Sequence, residues 1–278
     1  MFTGSSTGPA NSPSAFNAKQ VQEGLATRIP GLIVHWVEQT GSTNADLARL
    51  AERGAGGWTV LVADRQTSGR GRHERSWASP VGGLYASILL KPRETDSPLT
   101  LVPLTVGLAL HTAMTRLART ESVELKLHLK WPNDVMSPSG KVAGILCESS
   151  LAEGGWQVIA GVGINILPLP AAVKERLDGP ATSLIEESGE IPWNREQILS
   201  TFLLELANRI KQWDRDPDGL RKDWIRAADL QGQRITVKTA AGPVSGVVRG
   251  ISDAGALQLT TADGDLEIHA AEGIEENS

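Results

Sequence analysis

Residues 83–90, Gly-Leu-Tyr-Ala-Ser-Ile-Leu-Leu, are apolar at nearly every position. A strand of that kind has no polar face to give to water, so it belongs inside a sheet covered on both sides. The covering layers are legible nearby. Residues 101–118 form a long apolar-faced helix, and 194–213 puts Ile198, Leu199, Phe202, Leu203, Leu206, Ile210 and Trp213 on one helical stripe. Shorter helices are predicted at 45–53, with Leu47 and Leu50 on one side, and at 218–228. Ser42 or Thr43 is the natural N-cap of the first of these, its hydroxyl accepting a free N–H. Further strands are predicted at 33–37, 58–63, 125–130, 142–148 and 156–166, the last two around Glu153-Gly154-Gly155. The fold class is therefore α+β, a mixed β-sheet with helices.

The composition changes at Asp229. From 234 to 268, short β-runs are separated by Ala241-Gly242-Pro243, Asp253-Ala254-Gly255 and Asp263-Gly264-Asp265. Turns at that spacing predict a small antiparallel barrel or meander. The division is then a flexible N-terminal arm over 1–30, a catalytic domain over 31–228 and a small β-domain over 229–278. The arm is rich in Ser, Gly, Pro, Ala and Asn and is expected to be mostly mobile.

The 278 residues are enough for one substantial domain and a small second one, and a net charge of −5 argues against a broad nucleic-acid-binding face. Cys147 is the single cysteine, which excludes an intrachain disulfide framework and favours a reducing cytoplasm. No apolar run reaches the ~18 residues of a membrane span. Residues 99–110 come nearest, but Pro103, Thr105 and Gly107 fit a buried helix better. No basic-then-apolar leader opens the chain.

Against this acidic background stands a basic loop, Gln66-Thr67-Ser68-Gly69-Arg70-Gly71-Arg72-His73-Glu74-Arg75-Ser76-Trp77. Glycines bare the backbone N–H groups beside fixed positive charge, a combination suited to an anion. It is no dinucleotide fingerprint, since Glu74 stands where the third glycine belongs. Three further segments carry possible chemistry. Lys130-Trp131-Pro132-Asn133-Asp134 ends a strand. Gly140-Lys141-Val142-Ala143-Gly144-Ile145 opens one with a lysine, though it is not a P-loop. Gly161-Val162-Gly163-Ile164-Asn165-Ile166 puts two glycines in a strand. Taken singly, each also has a plain structural reading: a solvated turn, an Asx turn, a snorkelling edge lysine, and a bulge or tight sheet packing. The histidines at 35, 73, 111, 128 and 269 have no zinc-type spacing, and no serine sits in a nucleophile elbow.

Taken together, Ser42-Thr43-Asn44, the Gly-Arg-Gly-Arg loop with Trp77, Lys-Trp-Pro-Asn-Asp, Lys-Val-Ala-Gly-Ile-Leu and Gly-Val-Gly-Ile-Asn follow in one order within residues 33–274. This resembles the biotin protein ligases, and looks like their monofunctional mycobacterial and actinobacterial members. The resemblance implies a class II synthetase-like catalytic domain with an SH3-like C-terminal barrel. It also implies a two-step reaction: biotin and Mg-ATP give biotinyl-5′-AMP, and a lysine of a biotin carboxyl carrier domain then takes the biotinyl group. By the family pattern, Ser42, Thr43, Asn44, Gln66, Gly69, Arg70, Gly71, Lys141, Gly144 and Gly161 surround biotin. Arg72, Arg75, Trp77, Lys130, Asn133, Asp134, Lys141 and Asn165 face ATP or the adenylate. Lys141, Arg72 and Arg70 would be catalytic. Mg2+ would sit mainly on phosphate oxygens, with Asp134 as a possible ligand. Glu74 departs from the family, which usually has glycine there. Only residues 1–32 precede the first catalytic strand, so a ligase without a DNA-binding repressor module, and without nucleic-acid or membrane partners, is expected.

Overall fold

A computed structural model describes residues 15–92, 97–189, 193–271 and 273–276. In chain order the elements are α1 (Ala18–Leu25), β1 (Ile33–Thr40), α2 (Thr43–Glu52), β2 (Thr59–Gln66), β3 (Leu84–Leu90), α3 (Val102–Thr120), β4 (His128–Lys130), β5 (Asp134–Ser137), β6 (Gly140–Ala152) and β7 (Gly155–Ile164). There follow α4 (Ala171–Lys174), α5 (Leu184–Ser188), α6 (Arg195–Arg215), α7 (Pro217–Ala228), β8 (Arg234–Thr239), β9 (Gly242–Ile251), β10 (Leu257–Thr261), β11 (Gly264–Ile268) and β12 (Gly273–Glu276).

Strands β1 to β7 make one sheet in the order β1-β2-β3-β7-β6-β5-β4. Only β1 and β2, joined through α2, are parallel; the other neighbours are antiparallel. As its composition requires, β3 is buried along its whole length. Its side chains divide by parity. Leu84, Ala86, Ile88 and Leu90 enter the main core with α3, α6 and α7, where Phe202, Trp213 and Trp224 are nearly inaccessible. Leu89 turns the other way and packs with Leu61 and Ile159 under Leu47 and Ala51 of α2. Helix α3 lies in a segment apolar enough to cross a membrane by length and hydropathy, but 72% of that window is buried inside the molecule.

One face of the sheet is therefore fully roofed, while the ten residues of α2 cover only part of the other. The uncovered part lies over β7, β6 and β5, and it becomes the floor of the site.

Three expectations need correction. The N-terminal arm is helical from Ala18, with Phe16, Val21, Leu25 and Ile29 buried and α1 lying against α6 and β1. Val21, Leu25 and Ile29 recur every fourth residue, so this apolar stripe was present in a segment judged by average composition. The rest of the arm, 1–14, lies outside the described residues. The strand expected at 125–130 is shortened to β4, because Leu125 is drawn into the core and the Leu127 carbonyl meets His111 Nε2 at 3.1 Å. The chain then returns at once as β5, with Lys130 opposite Asp134.

The C-terminal strands pair in the order β11-β10-β9-β8-β12. Among the described residues β11 and β12 do not pair, so the antiparallel sheet stays open rather than closing into a barrel. The module is tied to the catalytic body by Trp131, whose Nε1 donates to the Gly255 carbonyl at 3.1 Å, and by the Arg221–Asp253 ion pair at 2.7 Å. Trp131 is 4% exposed. Trp131→Phe should therefore strand a carbonyl and destabilise the protein by about 1–3 kcal/mol. Urea unfolding followed by tryptophan emission measures the loss.

Candidate active site

The floor is built from glycines. Gly144 on β6 pairs with Gly163 on β7, and Leu146 pairs with Gly161. A Cβ on Gly163 would lie 2.4 Å from Trp77 Nε1, and one on Gly144 would lie 2.8 Å from the same indole. On Gly161 it would meet Asn44 Oδ1 at 2.2 Å. For Gly161 and Gly163 neither a bulge nor sheet packing is the reason: the Asn44 and Trp77 side chains approach the bare strand backbone.

Lys141 reaches this face through a register shift. Val135 pairs with Ala143, but Met136 pairs with Lys141, leaving Val142 as an extra residue on β6. By plain alternation Lys141 would share the face of Ala143 and Ile145, which enter the main core. The bulge at Val142 turns it to the opposite side. There Lys141 Nζ lies 2.7 Å from Asp134 Oδ1 and 5.0 Å from the centroid of the Trp77 ring. The backbone of Lys141 is clamped as well: its N–H donates to Pro180 O and its carbonyl accepts from Thr182 N. Asn165, 3% exposed, adds its Nδ2, which donates to Lys141 O at 3.3 Å and Thr182 O at 3.0 Å.

At one end of the floor is a compact polar group. Gln66 Oε1 accepts from Thr43 N at 2.8 Å and Thr43 Oγ1 at 3.0 Å, and Gln66 Nε2 donates to Ser79 Oγ. The cap of α2 is thus not as expected. Ser42 occupies the N-cap position, but its hydroxyl makes no capping bond; Gln66 supplies the acceptor from the end of β2. Ser87 Oγ lies 2.7 Å from Thr43 Oγ1 and 2.6 Å from Asn44 Oδ1. Asn44 Nδ2 donates to Glu148 Oε2 at 2.7 Å, and so does the Arg70 guanidinium at 2.9 Å.

The other end is cationic. Arg72 reaches Asn133 Oδ1 at 3.5 Å, and Asn133 Nδ2 donates to the Ile145 carbonyl at 2.8 Å. Burial pulls the Arg72 guanidinium below its ordinary range, Asp134 opposing the shift and Arg75 adding to it. Trp77 Nε1 and Asp134 Oδ1 are both buried without a well-formed hydrogen bond among the described residues. Asp134 has the close charge of Lys141, but not in hydrogen-bonding alignment. Burial first and Glu148 second push the Cys147 thiol up to about 12, which disfavours the thiolate.

The basic loop arches over the floor as a small hairpin, with Trp77 N donating to Gly69 O and Gly71 N to Arg75 O. His73 and Glu74 both have left-handed backbone, at φ 53° and 58°. A side chain in this backbone conformation carries steric strain, which glycine at the place of Glu74 would avoid. Glu74→Gly should be neutral to stabilising, by up to about 1 kcal/mol. A thermal melt tests it, and a clear loss of stability would show that the carboxylate has a partner worth more than the strain.

Together these groups enclose a cavity of about 400 Å³. Every residue that the resemblance assigns to biotin or ATP lines it except Gly69. Gly69 stands behind the loop, where a Cβ would strike Trp77 O at 2.4 Å. Sequence reasoning missed the supporting residues Ser79, Ser87 and Glu148. Only Ser87 left a signal, as the one serine in a strand buried on both faces. The 177–181 segment, and Ala271 and Ile274 from the C-terminal module, also line the cavity unforeseen. Among the described residues no group of three or more His, Cys, Asp or Glu could hold a metal ion.

Comparison with known proteins identifies the family. Residues 36–165 match the Biotin/lipoate A/B protein ligase family, and 231–272 match the Biotin protein ligase C terminal domain. The chain is 37% identical over 245 residues to the biotin–[acetyl-CoA-carboxylase] ligase of Mycobacterium tuberculosis, covering 86% of this chain and 87% of that protein. Identity to the Paracoccus denitrificans enzyme of the same name is 34% over 241 residues, covering 84% and 97%. The biotin protein ligase of Aquifex aeolicus in complex with biotin and ATP superposes with a TM-score of 0.68 at 31% identity, covering 88% of this chain and 99% of that one. A polar pocket on a glycine floor, a bulge-directed lysine and an arginine-rich loop thus occur in a chain that belongs to the biotin protein ligase family.

Proposed function

We propose that the cavity activates biotin with ATP and passes the biotinyl group to a lysine of a biotin carboxyl carrier domain. The observation that supports this reading is Lys141, turned by the bulge onto the glycine floor beside Asp134 and Trp77, in the cavity that Thr43, Gln66, Arg72 and Asn133 also line. In the first step a biotin carboxylate oxygen attacks the α-phosphorus of ATP, and the bond to pyrophosphate breaks. Two anions must approach, and negative charge grows on the α-phosphate oxygens. A fixed ammonium between them meets that charge without reorganising at the moment of reaction. Arg72 and Arg75 face the same region, where a planar guanidinium can hold two phosphate oxygens. In the second step the neutral ε-amine of the acceptor lysine attacks the anhydride carbonyl, an amide forms and AMP leaves.

Thr43, Asn44, Gln66 and the Ser42 hydroxyl offer donors and acceptors to the biotin ureido and carboxyl groups. Trp77, Lys130 and Asn165 border the nucleotide region. Asp134 fits as one ligand for Mg2+, consistent with a cation held mainly by phosphate oxygens, and the ion would neutralise phosphate charge there. The single cysteine and the use of ATP fit a reducing cytoplasm.

The transfer step is tested with a purified carrier domain. Mass spectrometry is expected to show one added biotinyl group, lost when the acceptor lysine is changed to arginine. A carrier left unmodified in the presence of biotin, ATP and Mg2+ would refute the transfer half of the proposal.

A further inference from the structure

The loop and the floor meet across the cavity through few side chains. Arg72 reaches Asn133 at the edge of hydrogen-bond range, 3.5 Å, and Trp77 lies on Gly144 and Gly163. Lys141 Nζ on β6 lies 5.0 Å from the centroid of the Trp77 ring, and Arg70 to Glu148 Oε2 at 2.9 Å is the one close ion pair between the loop and β6 among the described residues. The same oxygen takes the Asn44 amide at 2.7 Å. Asn44 in turn spans Glu148, the Leu146 carbonyl and Ser87, and fills the space above Gly161. One carboxylate oxygen on β6 thus holds both the arm of the loop and a wall of the proposed biotin pocket.

We propose that Glu148 is a positioning residue that latches the basic loop through Arg70 and so sets how long biotin stays bound. This rests on the proposed function. Glu148 does not line the cavity, and its side chain is 38% exposed against 48% for Arg70. Such a pair is open to solvent and screened by salt, which suits a closure that must reopen each turnover. Its effect falls on the lifetime of the closed state rather than on chemistry at Lys141.

The test is Glu148→Gln, which keeps the size of the side chain and an oxygen for Asn44 while removing the charge. Biotin dissociation from the full-length enzyme is followed by stopped-flow tryptophan fluorescence, and steady-state kinetics are measured alongside. The expected result is a biotin off-rate and KM raised about threefold, the ratio given by about 0.7 kcal/mol for a solvent-exposed ion pair, with kcat at saturating biotin changed less than about 1.5-fold. Wild-type biotin affinity should weaken with added salt, and that dependence should be largely lost in the variant. In a cycle with Arg70→Gln, at a residue that also faces the cavity, the double variant should release biotin no faster than Arg70→Gln alone. An unchanged off-rate, or fully additive effects of the two substitutions, would overturn the latch. So would an equal fall in kcat and kcat/KM, which would place Glu148 in the chemistry. Wild-type protein that binds no biotin would instead refute the functional reading itself.

Discussion

Lys141→Ala is expected to slow biotin-dependent adenylate formation by about 1,000-fold, the loss typical of removing a preorganised charge from a developing oxyanion. The fold should survive. Lys141 is 29% exposed and its partner Asp134 23%, so the substitution leaves one partly buried carboxylate without its cation. That costs on the order of 1 kcal/mol once solvent screening is allowed for. Single-turnover formation of biotinyl-AMP and a thermal melt, run on the same preparation, separate the two effects. Adenylation within about tenfold of wild type would remove Lys141 from the centre of the mechanism.

Gly161→Ala carries the second largest effect, for steric reasons. Its Cβ would fall 2.2 Å from Asn44 Oδ1, far inside contact distance. Asn44 has little room to yield, being 4% exposed, at the start of α2 and bonded to Ser87, Leu146 and Glu148. The expected cost is about 1–3 kcal/mol of stability, with biotin affinity down at least about tenfold as the pocket wall shifts. Isothermal titration with biotin and a urea melt measure both. Gly71→Ala is the contrast, because its Cβ would meet Arg75 O only at 3.5 Å and should cost less than about 1 kcal/mol. Equal destabilisation by the two would mean that close approach at the floor is not what keeps glycine at 161.

Much of this architecture is legible in the residues. The apolar run of β3 announces a sheet covered on both faces, and the stripe of α6 announces the cover. The site's charged members stand out because they cluster on an acidic chain, and all of them line one cavity. What is not legible follows from how those signals arise. The helix α1 carries only a narrow apolar stripe in a polar segment, so its average composition conceals it. The bulge at Val142 leaves no mark in residue type, yet it decides which face Lys141 occupies. Glu148 and Ser79 are ordinary polar residues until the fold brings Glu148 on β6 beside Arg70 and the return of the basic loop brings Ser79 beside Gln66. The cap of α2 shows the same limit. Propensity points to Ser42 or Thr43, whereas the sheet delivers Gln66 to do the work.

The central claim is that this cavity joins a biotin carboxylate to the α-phosphate of ATP. Isotope exchange between pyrophosphate and ATP measures that step directly, with no carrier protein present. The account predicts exchange that depends on biotin and is absent with lipoate. Exchange supported by lipoate and not by biotin, or no exchange with either, would contradict it.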